Sequence, residues 1–365
     1  MAATANSPTS PATATATATA AKPQLVAVDT EVQPAKAPPF EIQSNANATR
    51  WLKALVYAEY GVGKTYLMGT AAEIPEMRDV LFISAEAGTL TIFDPTSPHE
   101  FKWIDIVDVN TFTALRHVHD YLKVHCSLRD RASHGGDQPA LDRLRSLQNQ
   151  LLPRVTDPER LRLYRTVVID SLYEIESYCM YQLLGVTSAT AIDEEVNKEQ
   201  WDEIGQQRRM IHRMIRNFRN LPMNILFTCP RMFREDKKLN TRKYMPMMTG
   251  KLASEVQGFV DLVGHYVSAD QKIDEADIGE EVPDFDIPRR MYIQPGPRYA
   301  AKSRFSQYKK AYMDNPSMLS IVQNVGLLDT WRDPSNPMLP QQSTNSPPPI
   351  LDKSQDESQK TETQS

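Results

Sequence analysis

The segment Ala58-Glu59-Tyr60-Gly61-Val62-Gly63-Lys64-Thr65 constrains this chain more than any other. It follows a short apolar run, Lys53 to Ala58 (KALVYA), and opens a stretch of helical character from Lys64 to Ala72. Its spacing is that of a phosphate loop, G-x-x-x-x-G-K-[ST], with Ala58 in place of the first glycine. Backbone N–H groups of Gly61 to Thr65 can wrap a phosphate while the following helix points its positive end at it. Lys64 then reaches the β- and γ-phosphates of a nucleotide, and the Thr65 hydroxyl holds magnesium. Glu59, Tyr60, Gly61, Val62, Gly63, Lys64, Thr65 and Tyr66 form the expected ATP-binding set. The bland alternative is a glycine-rich turn that happens to end in Lys-Thr; the strand and helix patterns on either side count against it. Alanine at position 58 bears on the tightness of the turn, because only glycine takes positive φ without a penalty.

Around this loop the chain reads as alternating strands and helices. Strand patterns occur at Asp79 to Ala85 (DVLFISA), Ile104 to Val109, Thr166 to Asp170 (TVVID), Met223 to Thr228 (MNILFT), Asp261 to Ser268 and Met291 to Gln294. Helical spacing marks Thr111 to Val124 and Trp201 to Arg219, with Leu221-Pro222 stopping the second. Ser127 to Asp157 reads as a polar excursion with some helix around Leu141 to Leu151, and Trp201 as the anchor of its helix on the sheet. Alternation of this kind predicts an α/β fold with a mostly parallel central sheet flanked by helices.

Two carboxylates stand where such a site needs them. Asp170 closes the TVVID strand and is the expected acid on the magnesium side of the loop. A lone Asp at a strand end is also a common helix cap. Glu86 lies just past the DVLFISA strand, at a strand's carboxyl end, on the ligand side of an open α/β sheet. From there it could polarise an attacking water, or be an exposed turn carboxylate.

With these residues in place the chain resembles the RecA-type P-loop ATPases, and within them the compact phage nucleotide-binding AAA-domain proteins of single-strand annealing. The resemblance rests on the ordered series YGVGKT at 60-65, ISAEAG at 83-88, TVVIDS at 166-171, NILFTC at 224-229 and AKSRF at 301-305, and spans about residues 50 to 325. It implies a magnesium-dependent ATPase in which Glu86 is the base for water, Asp170 holds Mg2+, and Lys302 and Arg304 reach a neighbouring subunit's ATP in a homo-oligomer. It also implies that a polar residue at the end of the 224-228 strand senses the γ-phosphate; the chain departs from that pattern by reading Thr228-Cys229-Pro230. Apart from the resemblance, Lys302 and Arg304 read as a solvated basic turn.

The segment from Arg231 to Lys251 holds seven basic residues against Glu235 and Asp236. In RecA-type proteins the corresponding loop contacts single-stranded DNA, so Arg234, Lys237, Lys238, Arg242 and Lys243 are the expected phosphate contacts, with Phe233 and Tyr244 available to stack on bases. A mobile solvated loop is the plain alternative. The whole-chain formal charge of -5 excludes a uniformly basic DNA-coating protein, not a local site.

Composition bounds the rest. Residues 1-46 and 335-365 hold 11 of the 26 prolines and are expected to be disordered tails around one domain at 47-334. Three scattered cysteines, Cys126, Cys179 and Cys229, fit a reducing cytosol, the host's if the chain is viral. No apolar run reaches the roughly 20 residues that span a bilayer, and the N-terminus lacks a signal-peptide order. Other functions compatible with the motifs are an ATPase that loads or remodels a replication or recombination protein, a small-molecule kinase with the basic segment as its lid, and a non-catalytic nucleotide-gated scaffold.

Overall fold

The computed structural model describes residues 50–86, 88–92, 97, 99, 101–151, 161–187, 201–236, 241–268 and 288–333. The expected tails, and Lys237 and Lys238, lie outside the described residues.

Among the described residues, ten strands form the sheet. In chain order they are β1 (Lys53–Ala58), β2 (Val80–Ser84), β3 (Ile104–Asp108), β4 (Thr166–Asp170) and β5 (Asn224–Asp236). Then come β6 (Thr241–Pro246), β7 (Leu262–Ser268), β8 (Arg289–Tyr292), β9 (Lys302–Ser303) and β10 (Tyr312–Asp314). The spatial order is β10-β8-β7-β1-β5-β4-β2-β3, with β6 on β5 and β9 on β7. The six strands from β7 to β3 run parallel, while β8, β9 and β10 add antiparallel pairs at one side.

Strands buried on both faces must be apolar throughout, which is why β1, β2 and β4 read as unbroken runs. Alternate residues divide between two layers. Leu55, Tyr57, Ile83, Ile169 and Phe227 face one core, packed by α2 (Phe112–Gly135), α4 (Leu172–Leu183) and α5 (Trp201–Arg219). Ala54, Val56, Phe82, Val168 and Leu226 face the other, packed by α1 (Lys64–Gly69), α7 (Met318–Asn324) and α8 (Leu327–Arg332). Among the described residues the remaining α-helices are α3 (Gln138–Leu151) and the one-turn α6 (Leu252–Glu255).

Three expectations are corrected. Ser127 to Gly135 is no excursion but the second half of α2, which ends at Gly136 with φ 58°. Its helical period is hidden because a buried face position is an arginine: Arg129 donates to the carbonyls of Tyr164 and Pro222 at 2.8 and 2.7 Å. Trp201 is 88% exposed and anchors nothing; Ile211, Met214, Ile215 and Phe218 bury the helix instead. The basic segment from Arg231 is not a loop. β5 runs on through it to Asp236 and returns as β6, pairing Arg231 with Pro246 and Asp236 with Thr241.

Candidate nucleotide site

Because β1, β5, β4 and β2 are parallel, their carboxyl ends meet at one edge of the sheet. The phosphate loop leaves β1 at that edge. Ala58 is the last strand residue, fully buried and in register with Pro230, so the first motif position does not need positive φ here. The left-handed backbone falls on Gly61, φ 77°, and Gly63, φ 97°, where glycine is present.

Thr65 and Asp170 come together as the motif requires. The Thr65 hydroxyl donates to Asp170 Oδ2 at 2.6 Å. On the other carboxylate oxygen, Asp170 Oδ1 accepts from the hydroxyl of Thr228. Thr228 is fully buried on β5, the strand lying between β1 and β4, so it reads the acid from the sheet's interior. Cys229 turns the other way, toward the Met247 carbonyl at 3.5 Å, and burial pushes its thiol far above the usual range. It has no thiolate character with which to act as a nucleophile.

Glu86 is held over Asp170 by backbone contacts. Its N–H and that of Ala85 both donate to the Asp170 carbonyl, at 3.2 and 2.7 Å, and its own carbonyl accepts from Ser84 Oγ at 2.7 Å. Among the described residues, Glu86 Oε1 is buried without a hydrogen-bond partner, while the Ser171 side chain lies close to the carboxyl. Burial raises the Glu86 carboxyl above its ordinary value, the Asp170 charge adds to the rise, and Lys64 opposes it. A carboxylate destabilised in this way holds a proton better than an exposed one, which suits a general base.

Lys64 is buried in the same cleft, its amine donating to the Glu59 carbonyl at 3.0 Å and lying 5.4 Å from the Tyr60 ring centre. Burial lowers its pKa, against the pull of Glu86 and Asp170. Glu59 itself forms an ion pair with Arg231, whose guanidinium also stacks on Tyr244 at 4.4 Å. The sequence does not point to that pairing, since 172 positions separate the partners. Tyr60 projects from the loop into solvent, Val62 packs at the edge of the α1-side core, and Tyr66 meets His99 and Phe101 edge-on.

The donor set fits magnesium and a triphosphate. A hydroxyl and a carboxylate already in contact, an orphaned carboxylate oxygen and a buried ammonium surround the loop's positive-φ glycines. Magnesium prefers one or two carboxylates completed by phosphate oxygens and water.

Lys302 and Arg304 are placed elsewhere. Lys302 donates to the carbonyls of Gln257 and Val260 at 2.9 and 3.0 Å, and Arg304 pairs with Asp261 at 2.8 Å and with the Gly258 carbonyl at 3.1 Å. Both cap the 256–261 turn beside β9 rather than the loop of their own chain. In the hairpin, Arg234 donates to the Gly250 carbonyl and Arg242 pairs with Glu235. Phe233 is 52% exposed and meets Tyr244 edge-on at 5.3 Å.

A family model described as an AAA domain matches residues 50–305, from just before β1 to just past β9. This chain belongs to the AAA domain family. The AAA domain is a nucleotide-binding ATPase module, and the loop, Glu86, Asp170 and Thr228 all fall inside the matched span. The chain is also similar to a solved structure described as the RadB recombinase, at 11% identity and a TM-score of 0.32, over 72% of this chain and 86% of that one. No curated protein matches it. Among the described residues, no helix of this AAA domain protein is long and apolar enough to cross a membrane.

Proposed function

We propose that this protein is a magnesium-dependent ATPase of RecA type that acts on single-stranded DNA, in annealing, strand pairing or replication, as a homo-oligomer. The observation that carries the ATPase reading is the Thr65–Asp170 contact at 2.6 Å beneath the unpartnered Glu86 oxygen. Lys64 and the loop amides bind the phosphates, and Glu86 orients water and accepts its proton. Magnesium, held by Thr65 and Asp170, supplies neutralisation of phosphate charge.

The DNA reading rests on β5 as one continuous strand: Thr228 touches Asp170, and eight residues later the same strand ends in the basic hairpin. A change at the acid therefore has a direct mechanical route to Arg231, Phe233 and Arg234. Arg234, Lys237, Lys238, Arg242 and Lys243 neutralise phosphates, and Phe233 offers a stacking face. Lys302 and Arg304 act across a subunit interface in this scheme, Arg304 first leaving Asp261. A hairpin growing out of the sheet does not favour the kinase alternative, which needs an arginine-rich lid closing over an acceptor.

The test is ATP hydrolysis by the full chain with and without single-stranded oligonucleotide. Turnover that needs magnesium and rises with DNA supports the reading. Turnover indifferent to DNA removes the DNA role, and a phosphorylated small-molecule product replaces it with a kinase.

A further inference from the structure

Arg289 opens β8 opposite Ser268, at the carboxyl end of β7 and therefore at the same sheet edge as the phosphate loop. Its backbone is clamped from both sides: its N–H donates to Asn315 Oδ1 at 2.8 Å, and its carbonyl accepts from Asn315 N at 2.6 Å. Its guanidinium lies close to Tyr266, a residue only 3% exposed in the core beneath α1, and its charge opposes the rise that burial gives that phenol. The guanidinium lies against the last glycine of the loop. A Cβ at Gly63 would stand 3.1 Å from Nη1, 3.4 Å from Cζ and 3.7 Å from Nη2.

Counter-charge is what this arginine lacks. Its neighbour Arg290 has the Asp314 carboxylate at 2.7 Å, whereas no carboxylate pairs with Arg289 among the described residues. A guanidinium has five donors in a rigid fork that matches phosphate oxygens. A half-buried cation with a fixed backbone, set against a loop of the phosphate-binding pattern, is suited to a phosphate oxygen.

We infer that Arg289 is a phosphate-binding arginine supplied in cis, a second cation beside Lys64 for the polyphosphate of the nucleotide. The inference rests on the proposed ATP site. Gly63 then has two reasons to be glycine: its backbone is left-handed, and a side chain would press on the arginine.

The experiment is equilibrium titration of the full chain with a fluorescent ATP analogue and magnesium, for wild type, Arg289→Ala, Arg289→Lys and Lys64→Met, with the thermal midpoint of each nucleotide-free protein. The expected result is ATP affinity roughly tenfold or more weaker in Arg289→Ala, as for loss of a charge-assisted hydrogen bond. Arg289→Lys recovers part of it, and the nucleotide-free midpoints stay together. ATP affinity within twofold of wild type in Arg289→Ala overturns the inference. So does a loss that tracks a fall in the nucleotide-free midpoint and is no smaller in Arg289→Lys, which would make Arg289 a prop for the loop. If wild type binds and Lys64→Met does not while Arg289→Ala binds normally, only this inference fails; if wild type does not bind, the ATP site fails with it.

Discussion

Lys53 enters the sheet at the start of β1 as an amine only 9% exposed, donating to the carbonyls of Leu221 and Met223 at 2.8 and 2.5 Å. Burial lowers its pKa from 10.5 to about 7, with Asp261 and Cys126 pulling weakly the other way. Between those two values the unfolded chain carries a proton that the folded chain has lost, so stability rises with pH across the window and is lost as pH falls toward the folded value. From about pH 7 to about pH 8.5 the gain is about 1.6 kcal/mol. Titration of the other buried groups is common to wild type and Lys53→Met, and the Cys126 thiol, which burial raises to about 11 against the pull of Lys53, stays protonated in both folded proteins across this window. The assay is denaturant unfolding of both proteins at several pH values in that window. The difference in unfolding free energy between them should shift in favour of wild type by about 1.6 kcal/mol. Lys53→Met leaves two carbonyls without a donor and is less stable at every pH, so the slope and not the offset carries the test. Parallel pH profiles for the two proteins would refute a buried, largely neutral Lys53.

Three further outcomes are expected. Thr228→Val removes the hydroxyl from Asp170 at nearly constant volume and should cost about 1.5–3 kcal/mol in denaturant unfolding; a loss below about 0.5 kcal/mol would mean the contact is not made. His265 is buried among Tyr57, Tyr244 and Tyr299, and burial lowers its pKa to about 4. Stability is therefore lost as pH falls below 6.5, and His265→Phe should lose about 1.5 kcal/mol less than wild type between about pH 6.5 and 5, read by the same unfolding assay. Replacing Lys237, Lys238, Arg242 and Lys243 by alanine should flatten the dependence of log affinity for single-stranded DNA on log salt by about 3; an unchanged slope in fluorescence anisotropy would take the hairpin out of the DNA site.

The parts of the fold legible in the sequence are those whose physics is local. Unbroken apolar runs such as TVVID and VLFIS mark buried parallel strands because no polar face interrupts them, and the phosphate loop declares itself by its glycines and Lys64-Thr65. Glu86 and Asp170 are legible as strand-end carboxylates, and their neighbouring strands bring them to one edge. What stays hidden is tertiary. Arg129 breaks the period of α2 while serving two distant carbonyls. The hairpin is masked because its charges obscure strand alternation. Thr228 is recognisable as a polar strand end, but its partner Asp170 is 58 positions away, and the Glu59–Arg231 pair is more distant still. Arg289 carries no local signal at all, since only the placement of β8 beside β7 brings it to Gly63.

As the proposed base beside the Thr65–Asp170 contact, Glu86 is the residue that would make this site hydrolytic and not merely nucleotide-binding. Glu86→Gln keeps the shape and removes the base, so the direct measurement is single-turnover ATP hydrolysis alongside ATP affinity in that variant. The expected result is hydrolysis slowed by roughly a hundredfold or more with ATP affinity within a few-fold of wild type. Hydrolysis at the wild-type rate in Glu86→Gln would contradict it.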